Sequence, residues 1–218
     1  MKPDLIIFDC DGVLVDSEAI TNSIFAEMLG ELGLYLSIAE VRREFVGLSF
    51  ASCAVKLEQM LGRALPPEFE REYDRRTHAA LAAEVGPVRG IPDVVATLAD
   101  AGIPTCVASS GSHDKMRVTL GRSGLLERFE GRRFSTSEVA RGKPHPDIFL
   151  HAAEQFGAAP ERTVVVEDSV HGIRAAVSAG MIAVGYAEVT DAQLLSGAGA
   201  TYTIDDMSQL IDLVSRHR

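Results

Sequence analysis

The sequence predicts an α/β fold, a parallel sheet covered by helices, with an all-helical segment inserted near the N-terminus. Three observations carry this. After Gly86-Pro87, short apolar runs alternate with helix-length amphipathic segments, the rhythm of βαβ crossovers. Between Asp16 and Val85 no strand-like run occurs, only helical periodicity over roughly 70 residues. Ahead of both stands Leu5-Ile6-Ile7-Phe8, a continuous apolar run of the kind buried on both faces of a sheet. At 218 residues the chain is long enough for one large domain, or for a core carrying a smaller insert.

The elements follow in order. The first strand stops at Asp9-Cys10-Asp11-Gly12, where charges and a glycine require a loop. From Glu18 onward, Ile20, Ile24, Phe25, Met28, Leu29 and Leu32 recur at three- and four-residue spacing, and Gly33 ends that helix. Ser37-Ile38-Ala39-Glu40 has the capping-box pattern and opens a second helix toward Phe45. A third helix spans 49–61 and ends at Gly62, and Pro66-Pro67 precede a charged fourth that runs to about Leu81. Downstream, helix 93–101 ends at Gly102, strand 105–108 meets Ser109-Ser110-Gly111, and helix 114–123 ends at Gly124. A short strand over 133–135 precedes Lys143-Pro144, and helix 146–156 ends at Gly157. Strand 163–166 runs into Glu167-Asp168, and helix 173–179 ends at Gly180. Strands over 182–186 and 202–204 lead to a terminal helix from about Met207.

Charge and cysteine usage exclude several functions. Lys and Arg number 21 against 31 Asp and Glu, a net charge of −10 with no lysine-rich run. Attraction to the phosphate backbone dominates nucleic-acid affinity, so no nucleic-acid partner is expected. Cys10, Cys53 and Cys106 are odd in number and far apart. They predict small buried thiols in a reducing compartment, not a disulfide framework. A run of only four apolar residues leads into Asp9, too few for a signal-peptide core, and no run of about 18 apolar residues could span a membrane. The expectation is a cytoplasmic protein with no membrane partner, monomeric or weakly homodimeric.

In open parallel sheets, ligands bind beyond the carboxyl ends of the strands. Asp9 and Asp11 follow the first strand, Ser109 and Ser110 the second, and Glu167 and Asp168 a later one, while Lys143 lies in a loop before a helix. Any one of these acids reads equally well as a helix N-cap or a loop hydrogen bond. Asp9 and Asp168 together, with a lysine and serines alongside, read otherwise. Two converging carboxylates repel unless a cation neutralises them, and hard oxygen ligands beside a substrate phosphate suit Mg²⁺.

Asp9-Cys10-Asp11-Gly12-Val13-Leu14-Val15-Asp16-Ser17-Glu18 resembles the first motif of the haloacid dehalogenase superfamily of phosphohydrolases. Val107-Ala108-Ser109 is similar to its second motif, and Lys143-Pro144-His145-Pro146-Asp147 to its lysine motif. Val166-Glu167-Asp168-Ser169, followed by Gly172-Ile173, is similar to its acidic fourth motif. The helical insert resembles the cap of the β-phosphoglucomutase-like branch. The resemblance implies a Rossmann-like catalytic core of residues 1–15 and 88–218 and an inserted helical cap of residues 16–87. It also implies roles. Asp9 is the nucleophile that forms an aspartyl phosphate, and Asp11 is the general acid/base, its main-chain carbonyl also binding metal. Ser109 and the amides near Ser110 and Gly111 hold phosphate oxygens close to a helix N-terminus. Lys143 neutralises Asp9 and the transferring group. Asp168 ligates Mg²⁺, and Glu167 does so directly, through water, or as a partner from behind. His113 is expected either to reach the phosphate pocket or to be a plain helix-start histidine. His145 and His171 read as surface or loop residues, and Gly12 as a turn glycine beside the nucleophile.

Within the superfamily, Asp11 favours phosphoryl transfer over dehalogenation, because only the former has a leaving oxygen to protonate. A phosphonatase would want a cap lysine for a Schiff base, and Lys56 is the one lysine of that segment. In β-phosphoglucomutase a cap histidine, and an arginine after a Gly-x-Ser stretch, hold the bisphosphate. The matching positions here are Thr21 and, after Gly47-Leu48-Ser49, Phe50. Phenylalanine cannot supply a bidentate anion partner, so water is the expected final acceptor. The expected function is a Mg²⁺-dependent phosphatase acting on small phosphorylated metabolites. A hexose phosphate, a sugar-acid phosphate such as 6-phosphogluconate, and phosphoglycolate fit equally. The alternatives are a β-phosphoglucomutase-type mutase and a non-catalytic binding protein of the same fold, which would be expected to have lost Asp9 or Asp11.

Overall fold

Leu5–Phe8 forms strand β1, and all four of its side chains are buried. A strand with no polar face belongs in the middle of a sheet. It lies between β2 (Thr105–Ser109) and β4 (Thr163–Glu167). β3 (Arg133–Ser135) flanks β2, while β5 (Ile182–Tyr186) and β6 (Tyr202–Ile204) extend the other side, giving the order β3-β2-β1-β4-β5-β6. Every pairing is parallel, with Ile7 in register with both Cys106 and Val165. The chain winds outward from β1 to β3 and then returns to β4. The winding therefore reverses between β1 and β4, and parallel sheets bind ligands beyond the carboxyl ends at such a reversal.

The computed structural model describes residues 2–45 and 50–216. The chain divides into two units, Met1–Asp16 with Gly86–Arg218, and Ser17–Val85. In the sheet-bearing unit the helices are α5 (Ile91–Asp100), α6 (His113–Arg122), α7 (Asp147–Gln155), α8 (Val170–Ser178), α9 (Ala192–Gly197) and α10 (Gln209–Arg216). Its core joins Leu5, Ile7, Cys106 and Ala108 to Ile148 and Phe149 of α7 and Ile173 and Ala176 of α8. Strand side chains alternate, so Ile6 and Phe8 face the opposite layer. The second unit holds α1 (Glu18–Glu31), α2 (Ile38–Phe45), α3 (Phe50–Leu61) and α4 (Phe69–Glu84). It has its own core of Phe25, Leu29, Val41, Phe45, Leu57 and Phe69. The Ser37 capping box is present: Ser37 Oγ accepts from the Glu40 N–H at 3.3 Å, and Glu40 accepts from the Ser37 N–H at 2.8 Å.

Several boundaries differ from the sequence expectation for physical reasons. Ser109 and Glu167 are the last residues of β2 and β4 rather than loop residues, because they pair in register with Ser135 and Gly185. Helix α8 starts at Val170, ahead of the expected 173, because Ser169 caps it by accepting from the Gly172 N–H at 3.0 Å. Helix α9 is an element beyond the sequence expectation; its six residues are too few to display a period, and Asp191 caps it from outside. The expected start of the third helix at Ser49, and the Gly47-Leu48-Ser49 stretch, lie outside the described residues. All three cysteines are buried and free. No described helix is long and apolar enough to cross a membrane.

Candidate active site at the sheet reversal

The loop after β1 is tightly wound. Asp9 continues the ladder by donating its N–H to the Val166 carbonyl at 3.0 Å, and the Leu14 and Val15 amides both return to the Cys10 carbonyl. Gly12 has φ +75°, and a Cβ at that position would collide with the Asp168 carboxylate. Only glycine allows this turn to sit against Asp168.

Lys143 gathers three strand ends. Its Nζ donates to Asp9 Oδ1 and Glu167 Oε1, each at 2.6 Å, and to the Ala108 carbonyl at 3.1 Å. All three ammonium donors are therefore engaged. The side chain is 5% exposed and its Nζ stands 4.9 Å from the centre of the Phe149 ring. The second oxygen of Glu167 accepts from both the N–H and the hydroxyl of Ser169 at 2.9 Å. A Cβ on Gly172 would overlap the Glu167 carboxylate, so the first turn of α8 rests directly on that group.

Asp9, Glu167 and Asp168 each offer an oxygen within 4.8 Å of the others, the only such trio of potential metal ligands among the described residues. Burial, reinforced by the charges of Glu167 and Asp11, pushes Asp9 up to about 7 despite the opposing pull of Lys143. Burial works against the Lys143 ammonium as well, but Asp9 and Glu167 hold it above the usual lysine range. The cluster thus carries more negative charge than Lys143 offsets. Its donors are all oxygens, and together these features fit a hard divalent cation such as Mg²⁺.

The loop after β2 forms a second wall. Ser109 Oγ accepts from the Gly111 N–H at 3.0 Å, and Ser135 Oγ donates to the Gly111 carbonyl at 2.8 Å. Thr136 donates to the Ser110 carbonyl at 3.3 Å, while the Ser110 side chain is exposed. Ser112 caps α6, accepting from the Lys115 N–H at 3.2 Å. His113, read either as reaching the phosphate pocket or as a plain helix-start histidine, is the first residue of α6. Its exposed ring is 2.8 Å from Glu138, which also accepts from the Ser135 N–H and so holds the ring toward the end of β3. His145 and His171 are exposed.

Sequence reasoning missed Lys115. Its Nζ lies 2.7 Å from Asp11 Oδ2. Burial alone would lower this lysine, but the Asp11 charge raises it above the ordinary value. The available signal was its place four residues beyond Gly111, in the first turn of a helix that starts at a strand's carboxyl end. Asp9, Asp11, Ser109, Gly111, Lys115, Lys143, Glu167 and Asp168 thus come from four chain segments to one end of the sheet.

The family model for haloacid dehalogenase-like hydrolases matches residues 3–180, which span all four segments. The chain belongs to this family. The 6-phosphogluconate phosphatase of Escherichia coli (strain K12) is 31% identical over 180 residues, covering 82% of this chain and 80% of that protein. A haloacid dehalogenase-like protein of unknown function from Agrobacterium tumefaciens str. C58 superposes with a TM-score of 0.91 at 34% identity, over 98% of each chain. A haloacid dehalogenase family hydrolase from Deinococcus radiodurans R1, solved with bound phosphate and sodium, gives 0.87 at 32% identity over 99% of this chain and 96% of that one. The chain is a hydrolase, and its place among the phosphoric monoester hydrolases agrees with the phosphatase among these relatives.

Proposed function

We propose that this haloacid dehalogenase-like hydrolase is a Mg²⁺-dependent phosphatase of small phosphorylated metabolites, acting through an aspartyl phosphate on Asp9. One observation carries the reading: a buried Asp9 carboxylate held by Lys143 at 2.6 Å inside an acidic cluster, where the winding of the sheet reverses. Asp9 attacks phosphorus, so that an oxygen–phosphorus bond forms while the ester bond breaks, and the leaving oxygen takes a proton from Asp11. A water then attacks the aspartyl phosphate, Asp11 takes its proton, and Asp9 is released with inorganic phosphate. Asp9, Asp168 and the main-chain carbonyl of Asp11 would hold Mg²⁺, whose charge lets the anionic nucleophile and phosphate approach each other. Glu167, with both oxygens engaged, keeps Lys143 in place from behind. Ser109 and the Gly111 amide, paired with each other, are the groups that would turn to the phosphate oxygens.

The activity of the E. coli relative supports a sugar-acid phosphate as substrate. The helical unit takes the role of the cap. Within it, Thr21 bonds to the Glu18 carbonyl, and Phe50 lies near Tyr73 and Phe69 with ring centres 6.5 and 6.4 Å away. Neither offers an ionic grip for a second phosphate, which favours water over a sugar as acceptor. The test is phosphate release from a panel that includes 6-phosphogluconate and glucose 6-phosphate, compared by kcat/KM with and without EDTA. It is paired with borohydride trapping of the acyl phosphate and mass spectrometry of the peptide containing Asp9. Undiminished turnover in EDTA, or label on another residue, would overturn the proposal. In ³¹P NMR with β-glucose 1,6-bisphosphate as primer, glucose 6-phosphate forming from β-glucose 1-phosphate faster than free phosphate would replace hydrolysis by mutase chemistry.

A further inference from the structure

The two carboxylate oxygens of Asp11 stand in unlike surroundings. Oδ2 accepts from Lys115 Nζ at 2.7 Å. Oδ1 is buried and has no hydrogen-bond partner among the described residues. An ammonium has three donors and no acceptor, so the oxygen that faces it can only accept. A proton carried by Asp11 is therefore favoured on Oδ1, which leaves Oδ2 as the stronger, carbonyl-type acceptor for the ammonium. A buried acceptor left unpaired is unfavourable unless a bound molecule supplies the partner. Lys115 is itself fixed in place. It is the third residue of α6, its N–H is bound by Ser112, and its side chain is only 28% exposed. It also passes so close to Gly111 that a Cβ there would stand 3.3 Å from Lys115 Cδ.

We propose that Lys115 is a positioning residue for phosphoryl transfer: it anchors Oδ2 of Asp11 and so makes Oδ1 the atom that exchanges the proton. The inference rests on the acid/base reading of Asp11. In the first half-reaction the Asp9–phosphorus bond forms, the ester electron pair passes to the leaving oxygen, and that oxygen takes the proton from Oδ1. In the second, water adds to phosphorus, its proton returns to Oδ1, and the Asp9–phosphorus bond breaks. Lys115 keeps its own protons throughout.

For a reaction with a covalent intermediate, kcat/KM reports steps only up to phosphoryl transfer onto Asp9. The probes are p-nitrophenyl phosphate, whose leaving group needs little protonation, and p-nitrobenzyl phosphate, whose alkoxide needs it fully. Lys115→Met should lower kcat/KM for the benzyl ester at least ~10-fold more than for the phenyl ester, a part of the ~100-fold or more that general acids contribute. Lys115→Arg, which keeps a cation, should recover most of the loss. Equal losses on both esters, no loss, or an arginine variant no better than methionine would each overturn the proposal. Asp11→Asn separates the two ideas. If it too falls equally on both esters, the acid/base reading fails and takes this inference with it. If it is selective for the benzyl ester while Lys115→Met is not, only the role of Lys115 fails. Should Lys115→Met not fold by thermal melting, Lys115→Gln is read in the same way.

Discussion

Replacing Asp9 by asparagine should inactivate the enzyme and stabilise its metal-free form, and the second effect has a calculable size. Burial and neighbouring carboxylates push Asp9 from an ordinary 3.8 to about 7. Between those values the folded state holds a proton that the unfolded chain has released, so stability must fall as pH rises through that window. About three units at ~1.4 kcal/mol each set a ceiling near 4 kcal/mol, absent below about pH 4 and fully felt above about pH 7. Asparagine keeps the size and carries no titrating proton. In EDTA, Asp9→Asn should therefore exceed the wild type by only about 1 kcal/mol near pH 4.5 and by about 2–4 kcal/mol at pH 8. Saturating Mg²⁺ should narrow the gap, because the cation stabilises only the ionised wild-type site. The assay is urea denaturation followed by circular dichroism at pH 4.5, 6 and 8, beside phosphate release in Mg²⁺, which should fall by orders of magnitude. A variant no more stable than wild type at pH 8, or a gap that ignores pH, would refute the reasoning about the cluster. Near-normal turnover would refute the nucleophile.

Other perturbations follow from the same geometry. Lys143→Met strands Asp9 and Glu167 in the interior and should cost about 3–5 kcal/mol in urea denaturation along with all measurable turnover; a neutral result would mean the ammonium does not hold the cluster together. Gly172→Ala drives a methyl group into the Glu167 carboxylate and should cost about 1–3 kcal/mol and most of the activity; wild-type melting and turnover would show that the helix can lift away freely. EDTA should abolish phosphate release from p-nitrophenyl phosphate, Mg²⁺ should restore it, and Ca²⁺ should do so poorly because of its looser coordination; equal rescue by Ca²⁺ would contradict the proposed ligand set.

What the sequence revealed followed from local patterns. Leu5–Phe8 has no polar residue to expose, so a central strand was legible from four letters. Asp9, Ser109 and Glu167 each end a short apolar run, and strand ends in a parallel sheet share a rim, so their convergence was legible as well. The pairing of Lys115 with Asp11 was not, because it joins residues 104 positions apart and depends on the turn at which α6 begins. The same holds for His113. Its partner Glu138 is placed by the register of β3, which no local pattern encodes. Helix α9 has no legible period because its cap carries more of its signal than its six residues do.

The position of β1 bears on how the chain is made. The strand leaves the ribosome well before the strands it pairs with, Thr105–Ser109 and Thr163–Glu167. The helical unit made in between has a core of its own and offers β1 no strand to pair with. A nascent chain therefore carries a fully apolar, unpaired strand until β2 emerges, and one open edge of it until β4 does. Such edges invite pairing with other chains. Synthesis order opposes assembly order here: β1 is made well before the strands that enclose it. Slow translation or scarce chaperones would deplete this enzyme by aggregation during synthesis, even where the finished protein is stable.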